Sequence, residues 1–469
     1  MEKLYHADAD PLAMRDTVMT RGIHDSFTRF RRVWSVVLGC LVALVPLVAH
    51  AQSSSLPVCS REGLFYIYPS PFYEQDQTLY LKEDATRSPG GSALWHSSDG
   101  GHSWRILLDI TNLSGLNMGP TYPVPIPSDP DPQLYLATLF GVPFGNTDPM
   151  LLFSNNGGVT WEARIPCVFD CNNWLYPTNE SGVLYGVEHY DPWGHFSSGI
   201  WRTTDGARSE WTKVWDGTEA IRLAVSPSYV QDDTLFAGLR AKSPQLGSAV
   251  VASTDGGETW EGRGGSYLCE NDVAFVQLSS TFAQDHTAFV RQANSLFKSL
   301  DAGNTWLPVF PPNPPYCQGG TGTLEAGDFL LSPNFGQDET LYLVATNEVG
   351  TYLLASSDGG ATWTQQLQQS IHFTLLSVLP IETGAMSVLD RQTRDSNAPD
   401  AAQLRMSGQD QEWKTFVPRV DRSAPAPVAR PFTLLMSTNG SNMSGFSYYR
   451  SDDGGVTWAC MELPPPISP

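Results

Sequence analysis

Ser356-Ser357-Asp358-Gly359-Gly360-Ala361-Thr362-Trp363 is one of six clean copies of the pattern Ser-x-Asp-x-Gly-x-Thr-Trp. The others begin at Ser97, Ser154, Ser253, Ser299 and Ser451, with Ser103 in the Thr place of the first and Asn156 in the Asp place of the second. Two degraded copies fill the gaps. They are Thr203-Thr204-Asp205-Gly206 leading to Trp211, and Ser407-Gly408-Gln409-Asp410 leading to Trp413. Counted from the leading Ser or Thr, successive copies lie 44 to 57 residues apart. One octapeptide is a weak signal, whereas six clean copies at a shared period define a repeating structural unit.

Working outward from the quoted copy, Thr351–Ala355 reads as a strand entering the turn and Thr362–Thr364 as one leaving it. Further upstream, Gly327–Leu331 and Leu341–Ala345 are two more short apolar runs. Between them lies a second motif, Ser-Pro-x-aromatic-x-x-Asp-x-Thr-Leu-aromatic, here Ser332 to Tyr342. It recurs from Ser70 to Tyr80 and from Ser226 to Phe236, with a variant from Ser279 to Phe289 and a fragment from Asp131 to Tyr135. Its Asp precedes the octapeptide's Asp by 16 to 25 residues. Two turn motifs in one phase give four antiparallel strands per unit. The expectation is an all-β chain, a single β-propeller of about eight four-stranded blades, with seven as the alternative.

The octapeptide has the chemistry of a hairpin turn. Its carboxylate can accept backbone N–H groups, its Gly permits positive φ, and its Trp offers a large surface to a neighbouring blade. This assigns structural roles to Asp99, Asn156, Asp205, Asp255, Asp301, Asp358 and Asp453. The same holds for Trp104, Trp161, Trp260, Trp306, Trp363 and Trp458. Asn156 keeps the acceptor and loses the charge, which a turn tolerates and a catalytic acid does not.

The pattern resembles the BNR/Asp-box repeat superfamily, over nearly all of the chain beyond its N-terminal segment. Members include sialidases, xyloglucan-cleaving glycosidases, the sortilin ectodomain and the photosystem II assembly factor. The resemblance implies a propeller with its Asp boxes on the periphery, and it leaves activity open, because one fold carries many functions. Sialidases share three arginines that hold a carboxylate, the first in a Phe/Tyr-Arg-Ile-Pro motif before the first box. Here Arg164-Ile165-Pro166 follows the second box and is preceded by Ala163, so it reads as a coincidence on a strand. Arg222, Arg240 and Arg291 carry no recognisable motif; Arg222 and Arg291 fall where they could face a central cleft. Glycoside hydrolysis needs two carboxylates about 5–10 Å apart, and sequence spacing cannot select such a pair from 49 acidic residues.

The remaining composition narrows the partners. Net charge is −21, which opposes nucleic acid and anionic membrane surfaces. No Gly-x-Ser-x-Gly, phosphate loop or His-Glu-x-x-His occurs, so no cofactor and no metal are expected. His96 and His102 flank the first box without further ligands nearby. The expected ligand is a protein or a carbohydrate, bound without catalysis at the central face and its loops. A sialidase-like or other glycoside hydrolase is the alternative. Trp174-Leu175-Tyr176 and His189-Tyr190-Asp191-Pro192-Trp193 read as aromatic loops able to stack on sugars.

Arg29, Arg31 and Arg32 precede an apolar run from Val33 to Ala49, followed by the small-x-small site Ala49-His50-Ala51. Residues 1–51 thus read as a signal peptide, with an uncleaved anchor as the rival and the only route to a membrane. The segment 52–61, a propeller over 62–465 and a tail over 466–469 complete the chain, read as secreted or extracytoplasmic. Cys40 lies in the signal. The other six cysteines suit disulfides in an exported chain. The pairing expected is Cys59–Cys460, closing the ring, with Cys269–Cys317 between blades and Cys167–Cys171 across a local loop. The Pro-rich Ala424–Pro431 is expected to separate blades seven and eight.

Overall fold

The computed structural model describes residues 56–59, 65–70, 73–83, 93–109, 116–124, 133–140, 149–164, 175–188, 199–217, 220–240, 243, 246–264, 268, 273–311, 324–380, 403–405, 432–439 and 446–464. They form seven antiparallel sheets. Blade 1 holds β1 (Phe65–Pro69), α1 (Tyr73–Asp76), β2 (Leu79–Glu83), β3 (Ala93–Ser97) and β4 (Arg105–Asp109). Blade 2 holds β5 (Leu116–Val124), β6 (Gln133–Phe140), β7 (Pro149–Ser154) and β8 (Glu162–Arg164). Blade 3 holds β9 (Leu175–Pro177), β10 (Leu184–Glu188), β11 (Gly199–Thr203) and β12 (Thr212–Trp215). Blade 4 holds β13 (Ala220–Val225), α2 (Tyr229–Asp232), β14 (Leu235–Leu239), β15 (Val250–Ser253) and β16 (Glu261–Gly262). Blade 5 holds β17 (Val273–Leu278), α3 (Phe282–Asp285), β18 (Ala288–Gln292), β19 (Ser295–Ser299) and β20 (Leu307–Phe310). Blade 6 holds β21 (Glu325–Leu331), α4 (Phe335–Asp338), β22 (Leu341–Thr346), β23 (Thr351–Ser356) and β24 (Thr362–Gln369). Blade 7 holds β25 (Phe373–Pro380), β27 (Phe432–Asn439), β28 (Phe446–Ser451) and β29 (Ala459–Cys460), while β26 (Gln403–Arg405) joins the outer edge of blade 6.

The seven-bladed alternative holds, and the expected eighth blade is corrected. β25 pairs along its whole length with β27, from Phe373↔Thr438 to Pro380↔Phe432. Residues 381–431 therefore connect two neighbouring strands of one blade; of them only Gln403–Arg405 is described, and Ala424–Pro431, expected to separate blades seven and eight, lies outside the described residues. Ser407, Asp410 and Trp413 lie outside the described residues. The buried apolar clusters agree. There are seven among the described residues, one at each junction between neighbouring blades, and the last pair joins blade 6 to 7 and blade 7 to 1. No gap is left for an eighth.

Local hydrogen bonds explain the turns. Ser70, Ser226, Ser279 and Ser332 each donate Oγ–H to the carboxylate six residues on, at 2.5–2.8 Å. The other oxygen of each Asp accepts the N–H two residues further on, at Thr78, Thr234, Thr287 or Thr340. The single helical turn between ends in a left-handed residue, Gln77, Asp233, His286 or Glu339. Its carbonyl then accepts an N–H from the octapeptide turn of the same blade: Gly100, Gly256, Ala302 or Gly359, at 2.9–3.0 Å. The two motifs share a phase because they are hydrogen-bonded to each other.

In the octapeptide, Asp255 Oδ1 accepts the Thr259 N–H at 2.9 Å and Oδ2 accepts the Thr259 hydroxyl at 2.5 Å. Ser253 Oγ donates to Oδ1 at 2.7 Å and accepts from Gly257 N at 2.8 Å. Gly257 takes φ 91°, which any β-carbon would penalise. At Asn156 the polarity reverses: Nδ2 donates to Thr160 Oγ1 at 2.8 Å, while Oδ1 still accepts Thr160 N at 2.9 Å. Asp255→Asn is therefore expected to be nearly neutral at pH 7, and Asp255→Ala to lose about 1 kcal/mol, measured by urea titration.

The same bonds set an acid limit. The Thr259 hydroxyl and N–H hold the Asp255 carboxyl down at about 2. At Asp99 partial burial works against ionisation, but the bonds from Ser103, Ser97 and the His102 N–H outweigh it and keep the carboxyl well below its ordinary range. Asp205 and Asp301 are held down likewise. A lowered folded-state pKa stabilises above the unfolded value and is lost as pH falls through the folded one. The thermal midpoint should fall between about pH 4 and pH 2, and Asp255→Asn should flatten part of that fall.

Blades are also bolted to one another. The Tyr185 hydroxyl of blade 3 donates to the Gly256 carbonyl of blade 4 at 2.7 Å and lies 2.6 Å from the Tyr229 hydroxyl. Lys298 Nζ of blade 5 donates to the Gly359 carbonyl of blade 6 at 3.2 Å, and burial pushes its pKa down. Arg450 of blade 7 donates to the Gly100 carbonyl of blade 1. In the same three junctions the octapeptide Trp reaches back: Trp104 to Glu462 O, Trp260 to Val214 O and Trp363 to Val309 O.

Blade 1 and blade 7 come from opposite ends of the described residues, and among these neither lends the other a strand. Their junction relies on side chains. The Tyr448 hydroxyl accepts from Phe65 N at 2.7 Å and donates to Phe65 O at 2.9 Å. Cys59 and Cys460 form a disulfide with Cα atoms 5.5 Å apart. Cys167, Cys171, Cys269 and Cys317 lie outside the described residues.

Candidate functional site

The first strands β1, β5, β9, β13, β17, β21 and β25 line the middle of the ring, each touching the next. Several carry a bulge: the register shifts at Met118/Thr121, Ala220/Arg222, Val273/Phe275, Ala326/Phe329 and Leu375/Ser377. A bulge bends a strand and re-aims its side chains, and such bulges gather next to binding sites. Just past the bulge in β13 and β17 stand Arg222 and Phe275. Counted back from Ser226, Ser279 and Ser332, the register equivalent of both in β21 is Asp328, inside the bulge.

A cavity of about 890 Å³ lies here, walled by β1, β9, β13, β17 and β21 and reaching the turns that follow them. Its aromatic wall is Tyr68, Tyr176 and Phe275, and its polar groups include Arg222 and Gln277. Leu223, Val276 and Leu331 are among the aliphatic residues that fill the rest. Phe275 is held edge-on by Phe329, with centroids 5.4 Å apart at 87°. The Gln277 side chain is fixed too, since its Oε1 accepts Leu331 N of the next blade at 3.0 Å. Burial raises the Tyr176 pKa, against the pull of the nearby Arg222 charge, so the phenol stays neutral at physiological pH.

The residues singled out from sequence divide. Arg222 lines the cavity. Arg291, on the second strand of blade 5, lies 3.7 Å from the carboxylate of Asp328. Arg240 is exposed at the end of blade 4's second strand. Arg164 sits on β8 and pairs with Glu162. The cavity wall brings together Arg222 alone of the four, among the described residues. Tyr176, read as part of a loop, is on the innermost strand β9; Trp174 and the 189–193 stretch lie outside the described residues. His96 is on β3, where its Nδ1 accepts from Arg105 Nε at 3.2 Å, and His102 is exposed. Among the described residues no group of three or more His, Cys, Asp or Glu is placed to hold a metal. No helix of the described residues is long and apolar enough to cross a membrane. The octapeptide Asp and Trp side chains stand at the turns and blade junctions, apart from the cavity wall.

Comparison with known proteins returns the fold.
No family model matches the chain, and no curated protein does. Among solved structures it is similar to a prolyl endopeptidase, at 11% identity and a TM-score of 0.50, over 84% of this chain and 49% of that one. It thus spans about half the length of that structure. A xyloglucanase from Xanthomonas campestris aligns at 15% identity and TM-score 0.45, over 86% of this chain and 68% of that one. A Hadza microbial sialidase aligns at 16% and 0.36, over 63% and 65%. At these identities the likeness is one of β-propeller architecture, shared by proteins of different activity.

Proposed function

We propose that this chain is an exported, non-catalytic propeller of the Asp-box type that binds a protein or glycan ligand in its central cavity. The observation that carries this reading is the cavity wall itself. Three aromatic rings and several aliphatic side chains from five blades surround one arginine, and the lining among the described residues includes no carboxylate. Flat rings suit a sugar face or an apolar side chain, and a few fixed polar groups orient what enters. The Cys59–Cys460 disulfide favours an oxidising compartment, in keeping with the N-terminal reading of an export signal.

The test is a binding screen of the purified chain against sialosides, β-glucans and a peptide library. Phe275→Ala and Arg222→Ala are each expected to weaken the retained ligand about tenfold or more while leaving thermal stability within about 2 °C. Turnover of a glycoside that these variants abolish, with the fold intact, would overturn the non-catalytic reading.

A further inference from the structure

One backbone bond sets a common register for five inner strands. The N–H groups of Ser70, Thr178, Ser226, Ser279 and Ser332 donate across their hairpins to Thr78, Val183, Thr234, Thr287 and Thr340, at 2.9–3.2 Å. Two residues before each donor stand Tyr68, Tyr176, Ala224, Gln277 and Leu330. Four of these five line the central cavity, Leu330 being the exception. The position is aromatic or aliphatic in every one of these blades but the fifth, where it is an amide.

Geometry fixes which way that amide points. Along an antiparallel strand, successive N–H groups turn alternately toward the partner and away from it. The Ser332 N–H is spent on Thr340 of blade 6's second strand, so the Leu331 N–H points the other way, to the axis of the ring. Gln277 Oε1 accepts it at 3.0 Å. Only the oxygen of a carboxamide can meet an N–H, so Nε2 is left with its two donors on the cavity side. Burial keeps the Tyr176 hydroxyl protonated, a further donor at the same level.

The other polar side chains of the wall are spent within the protein. Ser332 Oγ donates to Asp338 at 2.8 Å and accepts from Asn334 N at 3.0 Å. Ser280 Oγ accepts from Gly336 N at 3.2 Å. Tyr68 and Arg222 are engaged as well. A sugar ring brings several hydroxyls, and each one buried without a partner weakens binding. An aliphatic side chain brings none, and the amide carbonyl beside it needs only a donor.

Taking the cavity as the binding site proposed above, we infer that it holds an apolar side chain of an extended peptide, whose neighbouring backbone carbonyl accepts from Gln277 Nε2. Gln277 thereby sets specificity. Gln277→Glu keeps an oxygen for the Leu331 N–H but turns an acceptor toward the ligand, so it reverses the contact and spares the bond between blades.

The experiment titrates the full chain by calorimetry with end-capped peptides Gly-Gly-Leu-Gly-Gly and Gly-Gly-Ser-Gly-Gly, and with cellotriose and N-acetylated chitotriose. The Leu peptide is expected to bind at least tenfold tighter than the other three. Gln277→Glu should weaken it at least tenfold at pH 7, with the thermal midpoint within about 2 °C of the wild type. That loss should shrink toward about pH 4, where protonation gives the new carboxyl a donor. A Leu peptide weakened by Phe275→Ala but not by Gln277→Glu would overturn the role of Gln277 and leave the cavity reading standing. Preference for either sugar would overturn the peptide and also leave the cavity standing. Binding indifferent to Phe275→Ala, or none by any of the four probes, would overturn the peptide together with the cavity reading beneath it.

Discussion

Replacing Cys59 by Ser is expected to lower the stability of the ring by about 5 kcal/mol, the largest effect of any single change considered. The disulfide joins residues 401 apart, so it removes nearly the whole chain's freedom in the unfolded state. Among the described residues no strand is shared between the first and last blades, so the covalent link, side-chain packing and a few hydrogen bonds from side chains hold the ring shut. For a chain of this size that energy corresponds to a fall of about 6 °C in the thermal midpoint. Reductant should lower the midpoint of the wild type by that much more than it lowers the midpoint of Cys59→Ser. Equal midpoints for the two proteins without reductant would show that the Tyr448 and Phe65 contacts close the ring unaided.

Trp363→Ala is expected to cost about 4 kcal/mol. The side chain is fully buried between blades 5 and 6, edge-on to Phe310 at 5.7 Å, and donates to Val309 O at 3.2 Å. Removing it leaves a cavity and an unpaired carbonyl in the same junction. Trp161→Ala, at the half-buried counterpart between blades 1 and 2, should cost less than half as much. Urea unfolding of both variants measures the difference. Equal costs would mean that the octapeptide Trp acts through its own hairpin and not through the junction.

Much of this molecule was legible in its sequence because the signals are local. The bonds of the octapeptide turn join residues two to four apart, and those of the Ser-to-Asp turn join residues six apart. Such contacts survive as spacing. The bolts between blades left a trace that the reading passed over. Arg202, Lys298 and Arg450 each stand immediately before the leading Ser or Thr of a copy, and each lies against a glycine of the next blade's turn. The cavity was legible only in pieces: Arg222 and Tyr176 stood out singly, but nothing joined them to Tyr68 and Phe275, because the four come from four different blades.

The sequence by itself determined that the chain folds as turns and short strands at a blade period, and which residues make the turns. A turn's energy is spent within a few residues, so its pattern is written in order along the chain. Only the tertiary structure decided that there are seven blades. The degraded copy at Ser407 can spell a turn, but a blade exists only if its strands find partners. β25 found its partner in β27, across 51 intervening residues, and blade 7 already packs against blades 6 and 1. The same long-range pairing decided that Gln403–Arg405 lies on the edge of blade 6, and that Arg222 and Phe275 meet at one level of the central cavity.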